Sequence, residues 1–259
     1  MNRSFFLPRT SGLHALHPLT KLTLVAALVL VGSVARAPFV PVALFLFVIL
    51  PLAFWGQIAG AVTRVSLAIL LPFLVSLILV QGLFYPGATQ VLFTLGPVSF
   101  KQEGLQVALA TAARILLLAS SGLLLFFSTH PADLMLALTQ RGLPGALAYI
   151  VVTAIQLIPQ MLARSAAIAD AQRARGLETE GNLLRRISAV IPLLSPLIFS
   201  ALADVDERAM ALEARAFSSK RTKTSYKELR DSQMQSVARW ALLLGALALA
   251  GAEIAGWGP

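Results

Sequence analysis

Arg175 and Arg215 stand forty positions apart, each held between very small residues, in Ala174-Arg175-Gly176 and Ala214-Arg215-Ala216. Small neighbours leave nothing beside the guanidinium to keep another surface away. An exposed arginine in that setting is shaped to enter a partner's groove, so the chemistry on offer is recognition rather than bond making. Its repetition predicts two partners, or one partner engaged twice.

Other reactive side chains offer less. His14 and His17 share a helical face by spacing, as two metal ligands do, but a third ligand is missing and Pro18 interrupts the helix. Capping beside the membrane suits them better, and His130 before Pro131 reads as a helix-end residue. The carboxylates Asp170, Asp204, Asp206 and Glu207 lie outside the apolar runs, on what reads as a solvated face; acid–base groups that work at membrane depth fall within such runs. No cysteine is present, which removes disulfides and thiolate metal sites. No G-x-x-x-x-G-K-[ST] loop occurs, so nucleotide energy has to come from another chain. Arg114 lies inside an apolar run, where a structural contact within the helix bundle is its expected role. The expectation is a protein that is not an enzyme and holds neither metal nor cofactor.

The elements that position the two arginines follow from composition. Of 259 residues, 57% are hydrophobic and 13% charged, against roughly 25% charged in soluble domains. That balance describes a bilayer protein. A net charge of +9 suggests nucleic acid only where the cations cluster on a soluble domain; here they lie between apolar runs, so no nucleic-acid partner is expected. Ala35-Arg36-Ala37 imitates a signal-cleavage site. Arg36 within it, Pro38 after it and a second apolar run at once argue for a tight turn between two retained helices.

Stretches free of Asp, Glu, Lys and Arg cover about 22–35, 37–63, 65–85, 105–128, 142–163, 187–203 and 240–252, against the roughly 20 residues a spanning helix needs. Breaks fall at Pro38, Tyr85-Pro86-Gly87, Gly96-Pro97, His130-Pro131 and Gly142-Leu143-Pro144. Trp55, Trp240 and Trp257 are read at helix ends, where indole favours the interface. The runs from 142 and 187 continue at helical period into charged sequence, and Pro159, Pro192 and Pro196 predict kinks within them. If those two stay on one side, five helices cross. With the N-terminus cytoplasmic and the C-terminus outside, all of the 21 Lys and Arg except Arg36, Lys101 and Arg114 are then cytoplasmic, which satisfies the positive-inside bias. The basic run Lys220-Arg221-Thr222-Lys223, with Lys227 and Arg230, reads as an anchor on anionic lipid.

These residues carry a family resemblance. Pro131-Ala132-Asp133-Leu134, Ala137-Leu138, Gly142-Leu143-Pro144, Ile158-Pro159 and Ala174-Arg175-Gly176 are similar to the transmembrane T component of energy-coupling factor transporters, the EcfT/CbiQ family. Ala209 to Phe217 resembles that family's second Ala-Arg-Gly element, and Ser11 to Lys21 its lead into the first helix. Three positions depart from the family pattern: Ala216 replaces a glycine, His17 an acidic residue and Leu19 an arginine.

The resemblance implies an all-α membrane protein with about five transmembrane helices and long cytoplasmic-side coupling helices in an L-shaped arrangement. It divides the chain into helices 1–4 in 1–128, a coupling-helix module in 129–230 and a last spanning helix in 231–259. It implies two ATP-binding cassette ATPase subunits and one membrane S subunit that captures a vitamin or metal ion, with ATP bound by the ATPases and no cofactor in this chain. Carried over, Ala174, Arg175 and Gly176 contact one ATPase and Ala214, Arg215 and Ala216 the other. Pro159, Pro192 and Pro196 shape the levers that seat the S subunit. Two other classes stay open. A conventional ABC-importer permease also couples through a cytoplasmic helix, and Ile187 to Pro192 resembles its coupling loop, though that class has one loop per chain. An intramembrane hydrolase needs facing polar groups at membrane depth, which are lacking.

Overall fold

The computed structural model describes residues 9, 11–86, 91–95, 98–177, 182–219, 226–227, 229 and 231–255. Helices dominate: α1 (Gly12–Ala15), α2 (Pro18–Val34), α3 (Phe39–Leu44), α4 (Leu50–Trp55), α5 (Ala59–Phe84), α6 (Gln102–Ser128), α7 (Pro131–Thr139), α8 (Gly145–Ala174), α9 (Leu183–Ala214) and α10 (Gln233–Ile254). Among the described residues, α5, α6, α8 and α10 are each long and apolar enough to cross a bilayer, while α2 and the stretch Phe39–Trp55 are shorter apolar helices. This is an all-α membrane protein. α8, which the sequence reading keeps on one side because of Asp170, Arg173 and Arg175 near its end, is thus among the four that qualify by length and composition.

The chain forms two compact units, one of residues 4–143 with 229–259 and one of 144–228 with 1–3. The first has a core of Leu13, Leu28, Ile49, Ala53, Ile58, Val62, Leu117 and Leu124. Its tightest seam joins α5 to α6. Gly104, Ala108 and Ala112, four residues apart on one face of α6, are buried, and a Cβ on Gly104 would overlap the carbonyl group of Gln81. Small residues at this spacing let two apolar helices approach backbone to backbone, which is how helices gain packing energy without a hydrophobic driving force.

The apolar run 37–63 does not end at Arg64. The chain turns earlier, at Gly56 to Ile58, with Gln57 at φ 55°, and α5 runs through Arg64 without a break. A charge near a helix end can reach the interface, so it does not mark the end. Upstream, Phe45–Ile49 forms a π-helical turn, in which Leu50 N–H donates to the Phe45 carbonyl. Pro51 follows at the start of α4. Having no N–H and crowding the carbonyl four residues back, it breaks the ordinary ladder there. Between α5 and α6 lies an antiparallel hairpin, β1 (Val91–Leu95) and β2 (Val98–Lys101), where the turn signals at Tyr85-Pro86 and Gly96-Pro97 predict only breaks. Lys101 Nζ donates to the Tyr85 carbonyl at 2.7 Å across the base of that insertion.

Trp240 sits two turns inside α10 rather than at its end, and Trp257 lies outside the described residues. The expected boundary is displaced because Arg239 does not stop the helix. Arg239 is 8% exposed and neutralised: both its terminal nitrogens donate to Asp231, at 2.9 and 2.7 Å, and one also to Thr20 Oγ1 at 3.2 Å. Arg141, just past α7, donates to the same carboxylate at 3.0 Å. The Arg239 guanidinium holds the Asp231 carboxyl below its ordinary value. Nearby, Gln235 Oε1 accepts from His17 N–H at 2.9 Å, and buried Lys21 donates to the Ser128 carbonyl at 2.8 Å. This polar cluster ties the start of α10 to the start of α2, to the end of α6 and to the turn that follows α7.

His17 is the N-cap of α2, its Nδ1 accepting from Leu19 N–H. Burial pushes its imidazole below the ordinary histidine value, which keeps the accepting nitrogen unprotonated. An acidic residue in that place caps by the same bond, so the departure at His17 preserves the local structure. His130 caps α7 in the same way, through Ala132 N–H. No group of three metal-ligating side chains occurs among the described residues. Arg114 donates to the Ala35 carbonyl at 2.8 Å, satisfying the end of α2.

Candidate functional site

Both arginine elements are helix ends, and they are built alike. In α8, Ala174 is the last helical residue and Arg175 the C-cap; Gly176 follows at φ +89°. Gly176 N–H donates to the Arg173 carbonyl at 2.9 Å and Leu177 N–H to the Gln172 carbonyl at 3.0 Å. In α9, Ala216 N–H donates to the Glu213 carbonyl at 2.9 Å and Phe217 N–H to the Leu212 carbonyl at 2.9 Å, with Ala216 at φ +55°. Each pair of bonds is the six-to-one and five-to-two pattern of a Schellman cap. Such a cap needs a left-handed residue just after the C-cap, and this accounts for the small residue on the far side of each arginine.

The cap bonds are all main chain, so neither guanidinium takes part in them. Arg175 and Arg215 are exposed and, among the described residues, make no side-chain hydrogen bond or ion pair. Each is a cation held at a defined position with its donor fork turned to no neighbour there. At a helix C-terminus the last carbonyls also favour a cation.

Glycine adopts the left-handed conformation freely, whereas an L residue strains there by about 1–2 kcal/mol. Ala216 tolerates this strain because two hydrogen bonds and the packing of Phe217 fix the turn. The Phe217 ring lies 5.4 Å from that of Tyr149 in α8, tilted by 54°. Ala216→Gly is therefore expected to raise stability by about 1 kcal/mol, and Gly176→Ala to lower it by a similar amount. Thermal unfolding of the purified chain in detergent reads both.

Helices α8 and α9 pack antiparallel. Arg164 donates to both oxygens of Asp204, at 2.8 and 3.4 Å. Arg208 donates to Gln160 Oε1 at 3.1 Å, and Tyr149 meets Phe217 further along. The two arginine elements therefore lie at opposite ends of the pair, each eleven residues beyond the ion pair. At 1.5 Å per residue their separation along the helices is on the order of 30 Å. Asp204, expected from sequence to be solvated, is half-buried in that bridge; Asp170 does stay exposed, paired with Arg173 at 3.2 Å.

Pro159 is exposed, while Pro192 and Pro196 are half-buried, and the helices run unbroken through all three. No residue of α8 is fully buried. Leu147, Ile150, Ile155, Ile158 and Leu162 of α8, and Ile191, Ile198, Phe199 and Leu202 of α9, present exposed apolar surface. Of the basic run, only Lys227 lies within the described residues.

The family description "Cobalt transport protein", CbiQ, matches residues 9–226, a span that contains both arginine elements and the antiparallel helices that carry them. The chain belongs to the CbiQ family. Among relatives, the energy-coupling factor transporter transmembrane protein EcfT of Bacillus selenitireducens is 30% identical over 262 residues, covering 94% of each chain. The same-named protein of Lacticaseibacillus paracasei is 30% identical over 250 residues, covering 92% of this chain and 93% of its own. That of Thermosediminibacter oceani is 26% identical over 238 residues, 87% of each. This CbiQ member thus matches transmembrane proteins of energy-coupling transporters over nearly its whole length. The residues that sequence reasoning missed within it are Arg164, Gln160, Arg208 and Tyr149, and Asp204 it read as solvated. Their partners lie across the helix pair, where periodicity within one helix gives no signal.

Proposed function

We propose that this protein is the energy-coupling T subunit of an importer, linking ATP hydrolysis on two ATP-binding cassette subunits to the reorientation of a membrane S subunit that captures a vitamin or metal ion. The observation that carries the reading is the pair of like-built caps, each presenting an exposed arginine with no partner among the described residues. A guanidinium fork matches a carboxylate bidentately, and two separated forks suit two ATPases better than one.

In this reading Ala174, Arg175 and Gly176 enter one ATPase and Ala214, Arg215 and Ala216 the other, the small flanking residues allowing close approach. Closure of the ATPase pair on ATP displaces the helix ends. Each helix transmits the displacement along its length, with Pro159, Pro192 and Pro196 setting its flexibility where a ladder bond is missing. The exposed apolar faces of α8 and α9 seat the S subunit. The N-terminus is cytoplasmic and the C-terminus outside, by the distribution of Lys and Arg. The chain itself binds no ATP.

The test replaces Arg175 and Arg215 with Glu, singly and together, and measures co-purification of the ATPases and uptake of cargo. Each single change is expected to weaken both, and the double change to abolish them. Since the caps do not use the arginine side chains, thermal stability should be unchanged. Undiminished assembly and transport in the double variant would rule the reading out.

A further inference from the structure

The two arginine helices are related by more than their ends. A shift of forty positions superimposes Leu157-Ile158 on Leu197-Ile198, Leu162-Ala163 on Leu202-Ala203, Ala169 on Ala209, Ala171 on Ala211 and Ala174-Arg175 on Ala214-Arg215. These are eight of the nineteen positions from 157 to 175, and two antiparallel helices that share a repeat in part approximate a local two-fold axis between them. The observed contacts locate that axis. Arg164 opposite Asp204 and Gln160 opposite Arg208 share one antiparallel register, and in that register the position that faces its own repeat equivalent is 164 with 204.

A residue on a two-fold axis faces its own copy, so an unmodified repeat places like beside like. Two arginines there would repel. At this position the repeats differ by opposite charge, Arg in one helix and Asp in the other, and the two form a bidentate pair at 2.8 and 3.4 Å. The arms beyond it are equal, eleven residues to Arg175 and eleven to Arg215, about 16 Å each at helical rise.

We infer that Arg164 and Asp204 are a positioning pair that pins the register of α8 against α9 at the centre of the repeat and so holds the two arginine ends at equal and opposite reach. The apolar seam cannot do this alone. Leucine and alanine at three- and four-residue spacing present nearly the same ridges after a slip of one turn, and packed helices are known to ratchet by that step. A charge pair has a single satisfied register, and specifying register is the best-attested use of such pairs. A slip of one turn along the axis changes the span between the arginines by about 5 Å. The register is independent of what the arginines bind; its consequence for transport rests on the docking reading above.

The chain contains no cysteine, and Ala171 and Ala211 are exposed and equivalent in the repeat. Spin labels on Ala171→Cys and Ala211→Cys, in the full chain in lipid nanodiscs, report the span by pulsed electron paramagnetic resonance. One distance is expected in the parent. Arg164→Gln and Asp204→Asn should each add a population displaced by about 5 Å, one helical turn, and the exchange Arg164→Asp with Asp204→Arg should restore the parent distribution, because it rebuilds one opposite-charge pair at the same register. Unchanged distances in both single variants overturn the inference, as does an exchange that fails to restore them. Should the single variants not fold, the exchange alone decides: the parent distance supports the pin and any other result overturns it. In the assembled importer the single variants should keep their ATPases while cargo imported per ATP falls several-fold, recovering in the exchange. Loss of ATPase binding on Arg175→Glu with Arg215→Glu reports on docking separately.

Discussion

Asp231→Ala lowers the stability of the chain by about 3–5 kcal/mol, a fall in unfolding temperature on the order of 10 °C for a domain of this size. Arg239 is the reason. Its side chain is 8% exposed, and both terminal nitrogens are spent on the Asp231 carboxylate. Removing that carboxylate strands a guanidinium among apolar helices with only the Thr20 hydroxyl, at 3.2 Å, left to it. Arg141 loses its partner too, but it is 58% exposed and water replaces the bond at little cost. The loss should thus follow Arg239 and not the number of ion pairs broken. Removing both buried partners, Asp231→Leu with Arg239→Met, is expected to recover most of the stability, since no stranded charge remains. Unfolding followed by light scattering in detergent distinguishes the two. A double variant as unstable as Asp231→Ala would mean that the pair stabilises through its attraction and not by mutual neutralisation.

Gly104→Ala is the second severe change, although it adds one methyl group. The new Cβ would lie 2.8 Å from the Gln81 carbonyl carbon and 3.1 Å from the Tyr85 Cβ. The obstacle is main chain, so no rotamer change relieves it, and α6 has to move away from α5. Separation also costs the contacts of buried Ala108 and Ala112. Overpacking of this kind costs about 3 kcal/mol. Gly122 in the same helix has open space within 4 Å of where an added methyl would stand; Gly122→Ala should raise stability by about 0.5–1 kcal/mol through helix propensity. Opposite signs for one substitution in one helix, read by thermal unfolding, test whether close backbone approach sets the α5–α6 seam. A Gly104→Ala variant as stable as its parent would show that it does not.

Much of the fold is legible because lipid-facing helices are written in composition. The apolar runs, the break at Gly142-Leu143-Pro144 and the helix-end histidines are local signals, and each has its counterpart in the structure. Charge misleads at two boundaries. Arg64 and Arg239 look like stops, yet one lies near a helix start and the other is neutralised by Asp231, ahead of its own helix. A boundary rule that treats every cation as solvated fails wherever a carboxylate outside the helix folds back onto it. The hairpin escapes sequence reading because Gly96-Pro97 signals a turn without saying what it joins. At the candidate site the two triplets are plain in the sequence, while their shared cap is not: it depends on which carbonyls the following two amides reach. Arg164 and Asp204 are visible as charges but not as a pair, since only the antiparallel packing of α8 and α9 brings them together.

The caps at Arg175 and Arg215 also bear on how such a site can change over generations. Each is assembled from amide and carbonyl groups, so the turn forms whatever side chain occupies the C-cap position. Folding asks only for a residue able to turn left-handed after it, and Gly176 and Ala216 answer that demand differently. The fold therefore fixes where each of the two side chains stands without fixing which side chain it is.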